Sequence, residues 1–204
     1  MKGIKNKFEI AQKHMENNKF KEIENTLLDK AKFRDPVKSI EDAPPCFGIY
    51  CIRIKNIDQL IEPCRIALKD RQHDIIYIGI ANNLQKRLKQ ELIAKGHGTF
   101  FRSIGAILGF TPPKGSLKDK RNKYNYKFKK ADENNIIQFN SDNLLVNYII
   151  TKERDEACEE YLIQKYRLYR LSDMKPILRL PISFYSRQNI LSFRHRQAAL
   201  SLLL

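Results

Sequence analysis

Apolar positions along the chain change their spacing from segment to segment, and this predicts an order of secondary-structure elements. Short runs of aromatic and β-branched residues are typical of strands. Apolar residues three or four positions apart, with charged residues between them, are typical of amphipathic helices. The predicted elements, in chain order, are strands over 47–54 and 74–80, helices over 84–94 and 99–110, a strand over 143–151 and a helix over 153–169.

The order β-β-α-α-β-α predicts an α+β fold in which a small mixed or antiparallel three-stranded sheet is flanked by helices. The connection over 55–73 is long for a hairpin, and Pro63 lies inside it. It is either an extended hairpin connection or a short helix across the strand ends. Residues 39–45 are predicted as a loop that follows a helix break at the Asp35-Pro36 pair.

Segments outside these elements predict appendages to one compact domain. Residues 1–38 mix apolar and charged positions and predict an N-terminal helical arm. The domain itself is predicted over 39–183, with an exposed basic insertion over 111–135 in which aromatic residues are interleaved with Lys and Arg. Residues 184–204 predict a C-terminal helical extension, whose Leu-rich end suits packing on the domain or on another subunit.

Positive charge is the strongest global signal in the composition. The chain has 38 Lys and Arg against 23 Asp and Glu, which gives a formal net charge of +15 at pH 7. Nucleic acid, an acidic membrane surface and acidic proteins all offer the negative charge that such a chain attracts. Nucleic acid is favoured among them, because basic residues bind it by displacing counterions from its phosphates.

The apolar stretches and the cysteines indicate in which cellular compartment the protein is expected. No run reaches the roughly 18 consecutive apolar residues that a membrane-spanning helix needs. The polar, lysine-rich start lacks the apolar stretch of a secretory signal, so we expect a cytoplasmic protein without membrane association. The 4 cysteines are scattered and show no CxxC spacing, and we expect them to be reduced thiols.

Two tyrosines stand in related triplets on the first two predicted strands. Tyr50 ends a Gly-Ile-Tyr triplet and Tyr77 begins a Tyr-Ile-Gly triplet. Adjacent strands could bring both phenols to one site. A tyrosine in a strand is more often a packing residue, so neither triplet is persuasive alone.

An arginine follows the second strand at a position suited to phosphate binding. Asn83 is predicted to cap the helix that follows, and Arg87 lies one turn inside it. The guanidinium group is planar and permanently charged, and it binds phosphate through paired donors. The alternative is an ordinary solvated helix face, since Lys86 and Lys89 stand beside it.

Three glutamates in the last predicted helix are candidates for an oxygen ligand to Mg²⁺, which is usually held by one or two carboxylates together with phosphate and water. They are Glu156, Glu159 and Glu160. Glu159 is favoured because it precedes Ile163 by four residues on a helix that packs inward, which would place it at the sheet edge. Glu160 is the fallback, and a surface salt bridge is the alternative explanation.

Together these residues form an ordered pattern that resembles the GIY-YIG nuclease superfamily over residues 47–180. The pattern consists of Gly48-Ile49-Tyr50, Tyr77-Ile78-Gly79, Asn83-Leu84-x-x-Arg87 and Glu159-x-x-x-Ile163. Either triplet alone can occur by chance. Both triplets in this order, followed by the helix Arg and the late Glu, form a pattern that is specific to the family.

The sequence departs from the usual family pattern at three places. The gap between Tyr50 and Tyr77 is longer than the short hairpin typical of the family. Ile80 stands where many members have Lys or Ser. The late Asn of the family is absent or displaced, and Arg179 is expected to bind backbone phosphate instead.

Carried over residue by residue, the resemblance implies roles for five side chains. Tyr50 would activate water as the general base, and Tyr77 and Arg87 would hold the scissile phosphate. Glu159 would bind a single divalent metal ion, Mg²⁺ or alternatively Mn²⁺. His97, between two glycines, would relay a proton or is otherwise an incidental loop residue.

The implied function is that of a metal-dependent endonuclease that hydrolyses phosphodiester bonds in double-stranded DNA, of the restriction or defence type. The alternative is a catalytically inactive nucleic-acid-binding module on the same fold. One site cuts one strand, so double-strand cleavage would need a homodimer, two sequential events or a bound partner. The predicted nucleic-acid contacts are Lys86, Arg87, Arg102, Lys123 and Lys127.

Overall fold

A computed structural model describes residues 15, 18–60, 62–96, 98–113 and 126–168 of the chain. The sheet consists of three strands, β1 (Gly48–Ile54), β2 (Ile75–Ala81) and β3 (Leu144–Ile150). The helices are α1 (18–27), α2 (Pro36–Asp42), α3 (Glu62–Arg71), α4 (Leu84–Leu92), α5 (Thr99–Ile107), α6 (Lys130–Asn143) and α7 (Glu156–Lys165).

The sheet has the strand order β2-β1-β3, and β1 pairs antiparallel with both neighbours. The predicted α+β fold is therefore confirmed, with an antiparallel sheet. In this register Tyr50 lies opposite Gly79 on one side and opposite Tyr148 on the other. The first tyrosine triplet is thus set directly beside the second.

Both faces of the sheet are covered, which explains why the strands are almost continuously apolar. On one face, Tyr50 and Ile52 join a core with leucines of α4 and aromatic residues of α5. On the other face, Ile49 and Cys51 join a second core with Leu27 of α1 and with residues of α7. Alternate residues of β1 therefore belong to different cores.

A helix covers residues 39–42 of the loop predicted over 39–45, so that prediction is wrong for these residues and holds for 43–45. Pro36 occupies the first turn of α2, and the Asp35 side chain accepts a hydrogen bond from the Lys38 backbone N–H at 2.9 Å. Proline fits this position because the first backbone N–H groups of a helix have no partner within it. The Asp35-Pro36 pair therefore begins a helix.

The long connection between β1 and β2 contains α3, so the helical alternative holds. Pro63 is the second residue of α3, where a missing backbone N–H costs no helical hydrogen bond. Cys64, Ala67 and Leu68 are buried on its inner face. The insertion between the two tyrosine triplets thus packs on the core, and residues 48–52 still pair in unbroken register with 77–81, before a register shift between Ile52 and Arg53.

The segment before β3 differs from the predicted exposed insertion. Tyr126 and Phe128 are buried and stack edge-on with ring centroids 5.2 Å apart, so an exposed position is wrong for both. A Cβ at Gly105 of α5 would lie 2.5 Å from the Phe128 ring, so the helix admits this ring only because residue 105 is glycine. Residues 114–125 of the predicted insertion lie outside the described residues.

The helix α6 is absent from the predicted elements. Only Ile136 and Asn140 are buried along it, so its sequence carries little of the apolar periodicity that indicates a helix. Asn140 donates a hydrogen bond to the Leu92 carbonyl at 3.0 Å and ties α6 to the end of α4.

The ends of the predicted domain are described in part. Of the predicted N-terminal arm, α1 packs on α7, and the Phe20 and Tyr161 rings lie 5.5 Å apart. The C-terminal extension and Arg179 lie outside the described residues. All four cysteines are free of disulfides, as expected. No helix within the described ranges is long and apolar enough to cross a membrane.

Glu24 joins α1 to α7 through a buried carboxylate. It accepts hydrogen bonds from the Lys165 ammonium at 2.6 Å, the Tyr161 hydroxyl at 3.0 Å and the Tyr166 hydroxyl. Burial raises the pKa of Glu24, but these hydrogen bonds outweigh it and hold the pKa below the ordinary value of 4.5. Ionised Glu24 is therefore favoured by folding.

Acid should remove the contribution of Glu24 to stability. Because the folded-state pKa is depressed, the contribution is complete above pH 4.5 and is lost as the pH falls through the folded-state value. We expect Glu24→Gln to lower the free energy of unfolding by about 1–2 kcal/mol at pH 7 and to change it less at pH 3.5. Urea unfolding at both pH values measures this, with Glu22→Gln on the exposed face of α1 as the control. Equal losses at both pH values would contradict it.

Candidate active site

The two tyrosines meet on one face of the sheet. The Tyr50 and Tyr77 ring centroids are 5.8 Å apart, and each phenol influences the pKa of the other. Tyr50 is fully buried, whereas Tyr77 is half-buried. The predicted convergence of the two phenols is therefore what the structure shows.

Both glycines of the triplets are explained by close approaches. A Cβ at Gly79 would lie 2.8 Å from the Tyr50 hydroxyl oxygen and 2.8 Å from Cε1 of Tyr77. A Cβ at Gly48 would lie 2.4 Å from the Leu84 side chain and 2.4 Å from the Ile149 carbonyl oxygen. Gly79 thus makes room for both phenols, and Gly48 makes room for the start of α4.

Arg87 lies beside the two phenols, one turn into α4. Asn83 caps this helix by accepting a hydrogen bond from the Lys86 backbone N–H at 2.8 Å, as predicted. The Arg87 guanidinium is half-exposed and interacts electrostatically with Tyr50 and Tyr77. It can therefore reach a phosphate from solvent while its inner side faces the phenols.

Glu91 is the buried residue of this region that the sequence reasoning missed. Its carboxylate is fully buried and lies 3.4 Å from the Arg87 Nη1 atom. It also accepts a hydrogen bond from the Phe100 backbone N–H at 2.9 Å. The signal that could have found it is the four-residue spacing from Arg87 on one helix face.

Glu159 lies at the free edge of β2, close to Tyr77. Its Oε1 atom accepts a hydrogen bond from the Ile80 backbone N–H at 3.2 Å, three residues after Tyr77. Its negative charge contributes to raising the pKa of Tyr77. The neighbouring candidates bond elsewhere, Glu156 to Arg154 and Glu160 to Gln164. Of the three glutamates, Glu159 is the one bound to the strand that carries a site tyrosine.

Comparison with protein families agrees with this geometry. The chain matches the family described as the GIY-YIG catalytic domain over residues 48–170, more than half of its length. The chain belongs to the GIY-YIG family. A search of curated proteins and a search of solved structures each found no match. The match begins at the first glycine of the first triplet and extends past α7, so it contains every residue of the site.

Burial determines the protonation state of both phenols in this GIY-YIG domain. Burial raises the pKa of Tyr50 and of Tyr77 well above the ordinary value of 10.0, and Glu91 adds to both shifts. Arg87 lowers both pKa values without reversing the shifts. Both phenols are therefore neutral at neutral pH in the protein alone, and a general base at Tyr50 requires further positive charge beside it.

The GIY-YIG domain offers few carboxylate ligands, which suits a metal ion that the protein holds through one or two side chains. Among the described residues, no group of three or more His, Cys, Asp and Glu side chains could hold a metal ion. Mg²⁺ needs no such group, since it keeps several waters and is bound by one or two carboxylates plus substrate phosphate. Glu159, half-buried at the sheet edge, fits that requirement.

The other predicted site residues are distributed around this centre. Lys86 and Lys127 are exposed, in agreement with a role in contacting a ligand. Arg102 donates a hydrogen bond to the Tyr126 carbonyl oxygen at 3.0 Å, so part of its side chain is used to hold the buried segment before α6. His97 and Lys123 lie outside the described residues.

Proposed function

We propose that this protein is an endonuclease that hydrolyses phosphodiester bonds in double-stranded DNA with Mg²⁺ or Mn²⁺. The observation that carries the proposal is the meeting of two phenols, a guanidinium and a carboxylate at one corner of the sheet. These groups supply donors for a phosphate and an oxygen ligand for a metal ion. The net charge of +15 supports a nucleic acid as the substrate.

Each residue has a distinct role in the proposed reaction. Arg87 and the Tyr77 hydroxyl bind the non-bridging oxygens of the scissile phosphate. Tyr50 first loses its own proton to solvent; water then attacks phosphorus, the bond to the leaving oxygen breaks, and the Tyr50 phenolate takes up the proton of the attacking water. Glu159 would hold the divalent ion, which would supply positive charge to stabilise the leaving oxygen. Burial holds the pKa of Tyr50 well above its ordinary value, Arg87 opposes this shift, and a divalent cation beside the phenol would oppose it further, which is what the base role of Tyr50 requires.

Removal of the Tyr50 hydroxyl should leave binding intact and slow cleavage by about a hundredfold, the usual range for loss of a positioned acid or base. The variant is Tyr50→Phe, and the assay is nicking of supercoiled plasmid in Mg²⁺ or Mn²⁺. Tyr148→Phe is the matched control, because Tyr148 lies opposite Tyr50 in the sheet but faces Arg34 and Asp42. A wild-type protein that binds duplex DNA tightly and cuts it in neither metal would support the inactive binding module instead.

The biological class of the enzyme is part of the proposal. A restriction or defence role suits a catalytic domain with its own basic additions, and Lys127 of the predicted basic insertion is exposed. One domain carries one site, so cutting both strands requires a homodimer, two sequential events or a partner. Linear plasmid appearing only after nicked plasmid would indicate sequential cuts, and simultaneous appearance at raised protein concentration would indicate a dimer.

A further inference from the structure

Glu91 is a buried carboxylate that none of the proposed catalytic roles includes. Its side chain has no exposed surface, and it lies between α4 and α5. Taking a carboxylate out of water is costly unless charge and hydrogen-bond donors compensate it. Three donors do so in part, although burial still raises the pKa of Glu91 above its ordinary value: the Arg87 guanidinium, 3.4 Å away, the Phe100 backbone N–H at 2.9 Å and the Phe101 backbone N–H.

The start of α5 is built around this carboxylate. The residue before the helix is Gly98, which has no side chain with which to cap it. A Cβ at Gly98 would lie 1.8 Å from Oε2 of Glu91, so the carboxylate occupies the space of the absent side chain. A carboxylate at this position satisfies N–H groups that the helix leaves unpaired and faces the positive end of the helix dipole.

Two of the three compensating donors lead to groups of the proposed site. Arg87 is one helical turn before Glu91 and is the proposed phosphate ligand. Phe100, whose N–H is bound by Glu91, packs its ring on Tyr77 with centroids 5.2 Å apart. One carboxylate therefore fixes the inner side of the guanidinium and the ring that supports Tyr77.

We propose that Glu91 is a positioning residue that orients Arg87 and Tyr77 toward the scissile phosphate. The role rests on the proposed nuclease function. A carboxylate that only capped α5 would affect folding and leave the reaction untouched in any variant that folds. A positioning carboxylate affects the reaction through Arg87, and the two roles are separable by experiment.

The first test compares Glu91→Gln with Glu41→Gln. Glutamine keeps an oxygen acceptor for the α5 N–H groups but loses the charge that holds Arg87. Glu41 is exposed on α2, so its substitution makes the same change in net charge away from the site. We expect kcat to fall about tenfold in Glu91→Gln without a rise in KM, since displacement by a full ångström costs roughly a hundredfold. Glu41→Gln should behave as the wild type.

A double-mutant cycle identifies the residue through which Glu91 acts. If Glu91 acts through Arg87, adding Glu91→Gln to Arg87→Ala should lower kcat/KM less than twofold further, instead of the full tenfold. Independent multiplication of the two losses would overturn the proposal. A Glu91→Gln protein that folds and cleaves at the wild-type rate would also overturn it.

A measurement without substrate keeps the inference separate from the proposed function. Arg87→Ala should lower the Tm by about 5 °C in the wild-type background, because it leaves a buried carboxylate without its cation, and by less in the Glu91→Gln background. Should Glu91→Gln not fold, Arg87→Gln and Arg87→Lys replace it, and lysine should preserve more of the Tm. Equal Tm changes in these paired backgrounds or variants would refute the coupling, whether or not the wild type cuts DNA.

Discussion

Glu159→Gln should reduce cleavage of supercoiled plasmid by about a thousandfold while leaving the fold and DNA affinity unchanged. The glutamine oxygen can still accept the hydrogen bond that the Ile80 N–H gives to Glu159, so β2 and α7 should stay in place. A neutral amide is a far weaker ligand for Mg²⁺ than a carboxylate. The measurement is the nicking rate in saturating Mg²⁺ and Mn²⁺, together with affinity for the same duplex in Ca²⁺.

Glu160→Gln provides the matched control for this substitution. It changes the same functional group one position later in α7, where the carboxylate accepts a hydrogen bond from Gln164 instead of from the strand. It should nick plasmid at the wild-type rate. Loss of cleavage in Glu160→Gln with retention in Glu159→Gln would show that the metal ligand had been assigned to the wrong glutamate.

The residues of the site were predictable because each belongs to an element with a clear local pattern. Tyr50 and Tyr77 stand in uninterrupted apolar strands, and the structure pairs those strands in the register that brings the phenols together. Asn83 caps α4 as its residue type suggests, which fixes Arg87 one turn later. None of these placements depends on contacts between distant segments other than the strand pairing itself.

The burial of Glu91 was not predictable, because it depends on a contact between separate segments of the chain. In the sequence it stands next to Gln90 in a strongly charged helix, and such a glutamate is ordinarily solvated. Its burial results from the return of the chain at Gly98, which places the start of α5 against the carboxylate. Tyr126 is similar, since its burial depends on packing with Phe128 beside α5 and not on any pattern around it.

The protonation state of the phenols also required the structure. The sequence places Arg87 near Tyr77, and this suggests a lowered pKa for the Tyr77 phenol. Arg87 lowers the pKa of a phenol and burial raises it, and the balance depends on how much water reaches the ring. Tyr50 is fully buried, so the effect of burial prevails. The sequence therefore indicated the residues of the candidate site and could not indicate that burial raises the pKa of both tyrosines.

Gly79→Ala should lower cleavage by about a thousandfold, although it adds a single methyl group and removes no functional group. The new Cβ would lie 2.8 Å from the Tyr50 hydroxyl oxygen and 2.8 Å from Cε1 of Tyr77, so both rings must move. Displacement of one reacting group by an ångström costs roughly a hundredfold, and here two groups are displaced. Overpacking should also lower the free energy of unfolding by about 1–3 kcal/mol. Plasmid nicking and thermal unfolding measure the two effects.

The Tyr50→Phe background shows whether the methyl group acts through the phenols. If Gly79→Ala works by displacing the Tyr50 hydroxyl, part of its effect is already absent in Tyr50→Phe, and the further loss of activity should be smaller than in the wild type. The remaining loss reports displacement of Tyr77, whose ring meets the same methyl group. The proposed site depends on the close approach of the two phenols at Gly79. A Gly79→Ala protein that cleaves at the wild-type rate and has an unchanged Tm would contradict that close approach.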